Sequence, residues 1–357
     1  MAKYLEEIYY DRNNWTFRFA RMVNVWGYKH LGKSHYEMPA GLKQLRNENS
    51  VFLYTGLHKS LWETTGILVV LHLQKMPLPF TGMGDNLIRG KFFQTLAKKT
   101  GVFLVKRATN RRELLESAKK LKDYILSYLA HGMDVIIFPE GTRKSILSTG
   151  EYGKFFSTAF ESMLEYEKDK GEILESYPEL RAHDSYIVPM NVDYSRIRED
   201  WEMIHTFQGK PRTLHLLDSL KMFKKIGDTY VSFGEPLKMT DYINMNRKDL
   251  AVLIREKCLE LVKILPINIV SQAILDAVDK ENNCINTATI EENIGINLQK
   301  LDHLKDRFRG FTAETAPADI LKHVTNYVPC YRTGKINIKN LSFYKLYADF
   351  IGHYYKK

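Results

Sequence analysis

His58 and Glu63 are a pair whose types and spacing could do chemistry at a hydroxyl group. Histidine can take a proton from an alcohol near neutral pH. A carboxylate beside it can fix the ring tautomer and stabilise the imidazolium that forms. An acid at this offset is a weak signal alone, because 11 histidines and 42 acids in 357 residues give about one such match by chance. His58 is the histidine that has it. On one continuous helix the two side chains would point about 140° apart. They can meet if His58 lies in a loop and Glu63 on the first helical turn. Ser60 favours that arrangement, because Ser60-x-x-Glu63 is a capping box. The same box gives Glu63 a purely structural reading, as acceptor of the Ser60 N–H. A carboxylate has lone pairs enough for both roles.

Two cationic stretches follow. Gly101-Val-Phe-Leu-Val-Lys-Arg107 reads as a strand whose end carries Lys106 and Arg107. Strand ends of an α/β sheet are where ligands are usually met. Arg suits bidentate phosphate binding, with Lys as a point charge beside it. Phe138-Pro-Glu-Gly-Thr-Arg143 follows the apolar run Val135-Ile-Ile. Gly141 lets the backbone approach a ligand closely. Thr142 and Arg143 offer a hydroxyl and a guanidinium, and Glu140 could anchor Arg143 or orient a substrate hydroxyl. Read without the neighbouring motifs, each stretch could also be a solvated strand end or a turn.

The elements that must position these residues alternate. Val51–Tyr54, Val102–Val105, Val135–Phe138, Tyr186–Val188 and Tyr230–Phe233 are short β-branched and aromatic runs. Residues 110–131 read as an amphipathic helix, with Leu114, Ala118, Leu121, Ile125 and Tyr128 on one face. Such alternation predicts an α/β fold, a mixed twisted sheet flanked by helices. Three regions are expected: a basic, aromatic helical segment over 1–46, an α/β domain over 47–246, and a helical region over 247–357. The first segment reads as a helix packed on the domain or as a membrane-contacting helix. In the last 27 residues Phe343, Tyr344, Tyr347, Phe350, Tyr354 and Tyr355 alternate with basic residues. That cluster reads either as a helix face on a bundle or as a patch on anionic lipid.

The motifs together resemble those of the glycerolipid acyltransferases, whose hallmark is His-x4-Asp. His58-Lys-Ser-Leu-Trp-Glu63 is similar to the first block, Gly101–Arg107 to the second, Phe138–Arg143 to the third and Ile187-Val-Pro189 to the fourth. Gly84-Asp-Asn-Leu87 resembles a stretch of the branch that acylates glycerol 3-phosphate or dihydroxyacetone phosphate, with the 1-acylglycerol-3-phosphate acyltransferases next. The resemblance implies a fatty acyl transfer from a thioester, acyl-CoA or acyl-carrier protein, to the hydroxyl of glycerol 3-phosphate. It implies His58 as base with Glu63 as its partner, and Lys106, Arg107 and Arg143 on the acceptor phosphate. Glu140, Gly141 and Thr142 complete the substrate-binding loop, and the fourth block contributes to the acyl pocket. The departures are Glu63 for Asp, Leu57 before the histidine, and Ser145 where a second Arg is common.

Charge and composition bound the alternatives. A net charge of +10 favours an anionic partner: phosphorylated substrate, acidic membrane surface or nucleic acid. The sequence lacks helix-turn-helix, zinc-finger and aromatic RNA-binding motifs, which argues against the last. Cys258, Cys284 and Cys330 form no Cys-x-x-Cys pair, which argues against a disulfide framework or a zinc site; no cofactor is expected beyond the thioester co-substrate. The run Gly66–Leu71 is far short of the roughly 20 residues a membrane span needs. With no signal-peptide core at the N-terminus, the expectation is a cytoplasmic protein, peripheral to a membrane.

Overall fold

The computed structural model describes residues 33–60, 62–85, 95, 98, 100–106, 110–141, 149–177, 180–197, 199–207, 227–278, 285–325 and 341–356. Arg107, Thr142, Arg143, Ser145, Cys284, Cys330 and the aromatic stretch before residue 33 lie outside them.

An eight-stranded mixed sheet organises the chain. Its strands are β1 (Ser34–Glu37), β2 (Ser50–Gly56), β3 (Phe80–Gly84), β4 (Val102–Val105), β5 (Val135–Ile137), β6 (Asp184–Tyr194), β7 (Thr229–Phe233) and β8 (Leu237–Lys238). Their order is β1-β7-β6-β2-β5-β3-β4, with β8 also on β6. From β6 through β4 all neighbours run parallel. β7 and β8 run antiparallel to β6. β2 and β5 are buried at every position, which is why they read as continuous apolar runs with no alternation.

Three strands, β1, β3 and the two-residue β8, did not show as β-branched or aromatic runs. Phe80-Thr-Gly-Met-Gly84 contains two glycines, residues depleted in strands, yet β3 joins β5 to β4. β1 falls within the expected helical N-terminal segment and instead pairs with β7 at the sheet edge.

Pro189 lies inside β6, opposite Thr55, where a proline usually breaks a ladder. β8 pairs β6 only at Tyr186 and Ile187, and β7 only from Met190 onward. The Pro189 carbonyl faces that side, accepting from Gly234 N at 2.8 Å. The missing N–H of Pro189 therefore falls in the gap between two partner strands.

The helices cover both faces. They are α1 (Leu42–Asn47), α2 (Glu63–Leu73), α3 (Arg111–Ala130), α4 (Thr158–Ser176), α5 (Asp200–Phe207), α6 (Arg247–Glu260), α7 (Pro266–Ala277), α8 (Thr287–Lys300), α9 (Pro317–Thr325) and α10 (Leu341–Asp349). The Asn110 side chain caps α3 by accepting Glu113 N at 2.9 Å. Ile125 and Tyr128 are buried as expected, but Leu114 is exposed, so the apolar face fades over the first turns. α8 ends at Lys300 and the chain tightens into a 3-10 segment, Asp302–Arg307.

The C-terminal aromatic residues do not face outward. Phe343, Tyr344, Tyr347, Phe350 and Tyr354 are all buried, and Tyr355 packs against the core. The Tyr347 hydroxyl donates to Asp200 Oδ2 at 3.0 Å and accepts from Ile197 N at 2.8 Å. The Tyr347 carbonyl accepts from Asn268 of α7 at 2.8 Å. α10 is thus enclosed by α7 and α5, which overturns the reading of these rings as a lipid-facing patch. Among the described residues, no helix is long and apolar enough to cross a membrane.

Candidate active site

The parallel strands deliver the motifs to one end of the sheet. His58 lies two residues past β2, Glu140 three past β5, and Lys106 directly after β4. Gly56 makes the exit from β2 possible. A Cβ there would lie 2.5 Å from the Met190 carbonyl oxygen, closer than packing allows, so β2 and β6 touch backbone to backbone just before the histidine loop.

His58 and Glu63 meet. His58 Nδ1 is 2.7 Å from Glu63 Oε2. Glu63 is the first residue of α2 and is buried, so its side chain reaches back from the helix start to the loop. Its other oxygen, Oε1, accepts the backbone N–H groups of Lys59 and Ser60. The structural and the imidazole-facing roles therefore coexist. The capping box is only half formed, because Ser60 Oγ accepts from Trp62 N and donates to Glu199 Oε1 at 2.9 Å. The added methylene of Glu relative to Asp spans this distance.

The imidazole stacks on Phe138, with ring centroids 4.9 Å apart and planes 20° from parallel. Its side chain is 20% exposed. Among the described residues Nε2 has no partner, so this nitrogen is the one left to face a substrate.

Glu140 is engaged with backbone, and not with a described side chain. Oε1 accepts His58 N at 2.9 Å and Oε2 accepts Gly153 N at 2.7 Å. Burial pushes its carboxyl up to about 7, while those two N–H groups pull it down. Glu140 thus ties the histidine loop to both ends of the connection from β5 to α4. Gly141 follows with a φ of 63°, and the Phe156 ring lies 3.3 Å from where a Cβ would be. A side chain there would be both strained and crowded.

Lys106 stands apart from this cluster. It follows the edge strand β4, three strands from β2, which at the usual strand spacing is about 14 Å. Its ammonium is half exposed and 3.8 Å from Glu113. His58, Glu63 and Glu140 are therefore brought together, and Lys106 shares only their end of the sheet. Among the described residues, no group of three or more His, Cys, Asp or Glu side chains is arranged to hold a metal ion.

The family model described as acyltransferase matches residues 40–193, which contain the histidine loop, both cationic motifs and most of β6. This stretch is an acyltransferase domain. The chain is similar to a glycerol-3-phosphate acyltransferase of Baumannia cicadellinicola subsp. Homalodisca coagulata, 25% identical over 250 residues, 67% of this chain and 28% of the relative. A glycerol-3-phosphate acyltransferase of Shewanella loihica is 22% identical over 251 residues, 68% of this chain and 29% of the relative. A dihydroxyacetone phosphate acyltransferase of Bos taurus is 23% identical over 188 residues, 51% of this chain and 25% of the relative. The matched stretches amount to less than a third of each relative's own length.

The acyltransferase domain has a second layer that sequence reasoning passed over. Lys59 is buried and its ammonium pairs with Asp193 of β6. The ammonium also lies 5.6 Å from the Tyr152 ring centroid and 5.7 Å from that of Phe350. One signal was present: Asn191 and Asp193 alternate within an otherwise apolar strand and so share a face.

Proposed function

We propose that this chain is an O-acyltransferase that moves a fatty acyl group from a thioester, acyl-CoA or acyl-carrier protein, to the hydroxyl of glycerol 3-phosphate, making lysophosphatidic acid. The observation that carries the reading is the His58–Glu63 pair at the carboxyl end of β2, with Nε2 left without a partner among the described residues. The names of two similar proteins from bacteria point to the same acceptor.

In this reading His58 Nε2 takes the proton of the acceptor hydroxyl as its oxygen attacks the thioester carbonyl carbon. Glu63 keeps the ring proton on Nδ1 and stabilises the cation that forms. The tetrahedral intermediate collapses, the C–S bond breaks and the proton passes from His58 to the departing thiolate. Arg107 and Arg143 hold the acceptor phosphate, beside Gly141 and Thr142, and Lys106 adds positive charge at the same end of the sheet. Glu140 acts by fixing the loop that carries His58. A non-catalytic membrane-binding role is disfavoured by the intact base–carboxylate geometry.

Dihydroxyacetone phosphate is the second acceptor to consider, because the relative from Bos taurus carries that name. The 1-acyl form of glycerol 3-phosphate is the third. The reading includes contact with an anionic membrane surface on the cytoplasmic side, since the product is a lipid. Leu114, Leu115 and Phe156 are 56%, 65% and 65% exposed. They lie at the start of α3 and beside the β5 loop, at the His58 end of the sheet, with Arg111, Arg112, Lys119 and Lys120 exposed along α3. The deciding experiment crosses acyl-CoA and acyl-carrier protein with the three acceptors, using purified protein. Transfer to glycerol 3-phosphate is expected; transfer to none of them overturns the reading.

A further inference from the structure

We propose that Lys59 is a positioning residue for His58, holding the histidine loop against the sheet and supplying the buried positive charge that its carboxylates require. The proposal rests on the reading of His58 as the base.

Lys59 is bound at both ends. Its backbone N–H donates to Glu63 Oε1, on the same carboxylate whose other oxygen holds His58 Nδ1. Its ammonium, on a side chain only 1% exposed, pairs with Asp193 Oδ1. Asp193 is itself fixed, since Oδ2 accepts from Asn191 Nδ2 at 2.5 Å and from Lys263 N at 2.8 Å. Any movement of the ammonium is therefore passed through one side chain to the backbone link beside His58.

A buried ion pair is poor evidence of a stability role, because well-packed apolar residues often serve as well or better. The surroundings suggest why an ammonium is kept. Glu63, Glu140 and Asp193 are all buried. All three act electrostatically on the enclosed Tyr152 phenol, which burial pushes up first, then Asp193, Glu140 and Glu63 in turn. Among the described residues, the other nearby cations have partners of their own. Arg255 holds the carbonyls of Gly153 and Tyr152 at 2.9 Å each, and the Lys263 ammonium is drawn to Glu37. Tyr354 engages Arg307 and the carbonyls of Leu259 and Val262. Lys59 is thus a buried ammonium among the acids behind His58, and among the described residues it is paired directly with one of them, Asp193. Without it, uncompensated negative charge favours a protonated imidazole, which cannot act as a base.

The test is Lys59→Met, with Lys59→Arg and the charge-balanced double variant Lys59→Met/Asp193→Asn. In Lys59→Met, kcat should fall by about tenfold or more, with both KM values changed less than about threefold. The acidic limb of its pH–rate profile should move to higher pH. Lys59→Arg should recover part of kcat, and the double variant should restore the limb without restoring kcat. If the single variant does not fold, the double variant carries the kcat and KM comparison. Proton NMR adds a readout independent of turnover: the deshielded Nδ1 proton between His58 and Glu63 should be broadened or lost in Lys59→Met. An unchanged resonance with unchanged kcat in folded protein would overturn the proposal. So would a tenfold rise in acceptor KM at constant kcat, which would make Lys59 a phosphate ligand. If wild type shows that resonance but transfers no acyl group, the functional reading fails and the positioning role survives.

Discussion

Each oxygen of Glu63 has its own partner, so the two can be separated by mutation. Glu63→Gln keeps an oxygen for the Lys59 and Ser60 N–H groups but turns an amide N–H toward His58. That favours the tautomer with the proton on Nε2, which has no lone pair for an incoming hydroxyl. We expect kcat to fall about 10²–10⁴-fold, as for loss of a general base, with KM unchanged and little shift in melting temperature. His58→Ala should match it. Glu63→Asp keeps the charge but is one methylene shorter; it should retain part of the activity and melt lower. Kinetics and thermal melts on the same samples check all three, and near-normal turnover in folded His58→Ala removes the base assignment. The meeting of His58 and Glu63 was legible, because the spacing works only across a loop-to-helix junction and Ser60 marks one. The partners of Glu140 were not, because they are backbone N–H groups, which carry no residue signature. Lys59 and Asp193 lie 134 residues apart, beyond any local pattern.

At the scale of elements, the loops after β2 and β5 are joined by a carboxyl with an unusual proton affinity. Burial raises Glu140 from 4.5 to about 7, so the folded protein binds this proton more tightly than the unfolded chain. Its contribution is full below about pH 4.5 and is lost as pH rises through about 7, a change of about 3 kcal/mol. Glu140→Gln removes that dependence while giving up one loop hydrogen bond. From about pH 5 to pH 8 the stability gap between wild type and variant should therefore shift in favour of the variant. A gap constant with pH in calorimetry would mean that Glu140 ionises normally. Gly56→Ala tests the junction of β2 and β6. The added methyl meets the Met190 backbone 2.5 Å away and can only be relieved by separating the strands. A loss of about 1–3 kcal/mol is expected, whereas the same change at Gly41, with nothing within 4 Å, should be nearly silent. β2, β4, β5, β6 and β7 were readable from β-branched and aromatic runs. β3 was hidden by its glycines, and β1 by its nearness to a basic, aromatic segment.

For the whole molecule, the inward-facing C-terminal rings move the expected membrane contact to another surface. In the proposed reading that contact falls to the exposed Leu114 and Leu115 and the cations of α3, at the His58 end of the sheet. Sedimentation with anionic vesicles should show binding that weakens as salt rises. Leu114→Ser/Leu115→Ser should reduce it, with turnover on soluble acceptor kept. Equal binding to neutral vesicles, or none to either, would assign the +10 charge to substrate or another partner. Sequence pattern alone could not separate the two surfaces, because aromatic residues at helical spacing suit a bundle interior as well as a headgroup layer. The Phe350 ring beneath the Lys59 ammonium has a consequence in time. The histidine loop is made first, and its aromatic support follows almost three hundred residues later. At ribosomal speeds of about 5–20 residues per second, that is a wait of about 15–60 seconds. A nascent chain halted before α10 can pair its strands yet leaves the loop without its floor, so the support of the histidine loop is complete only once α10 has been made.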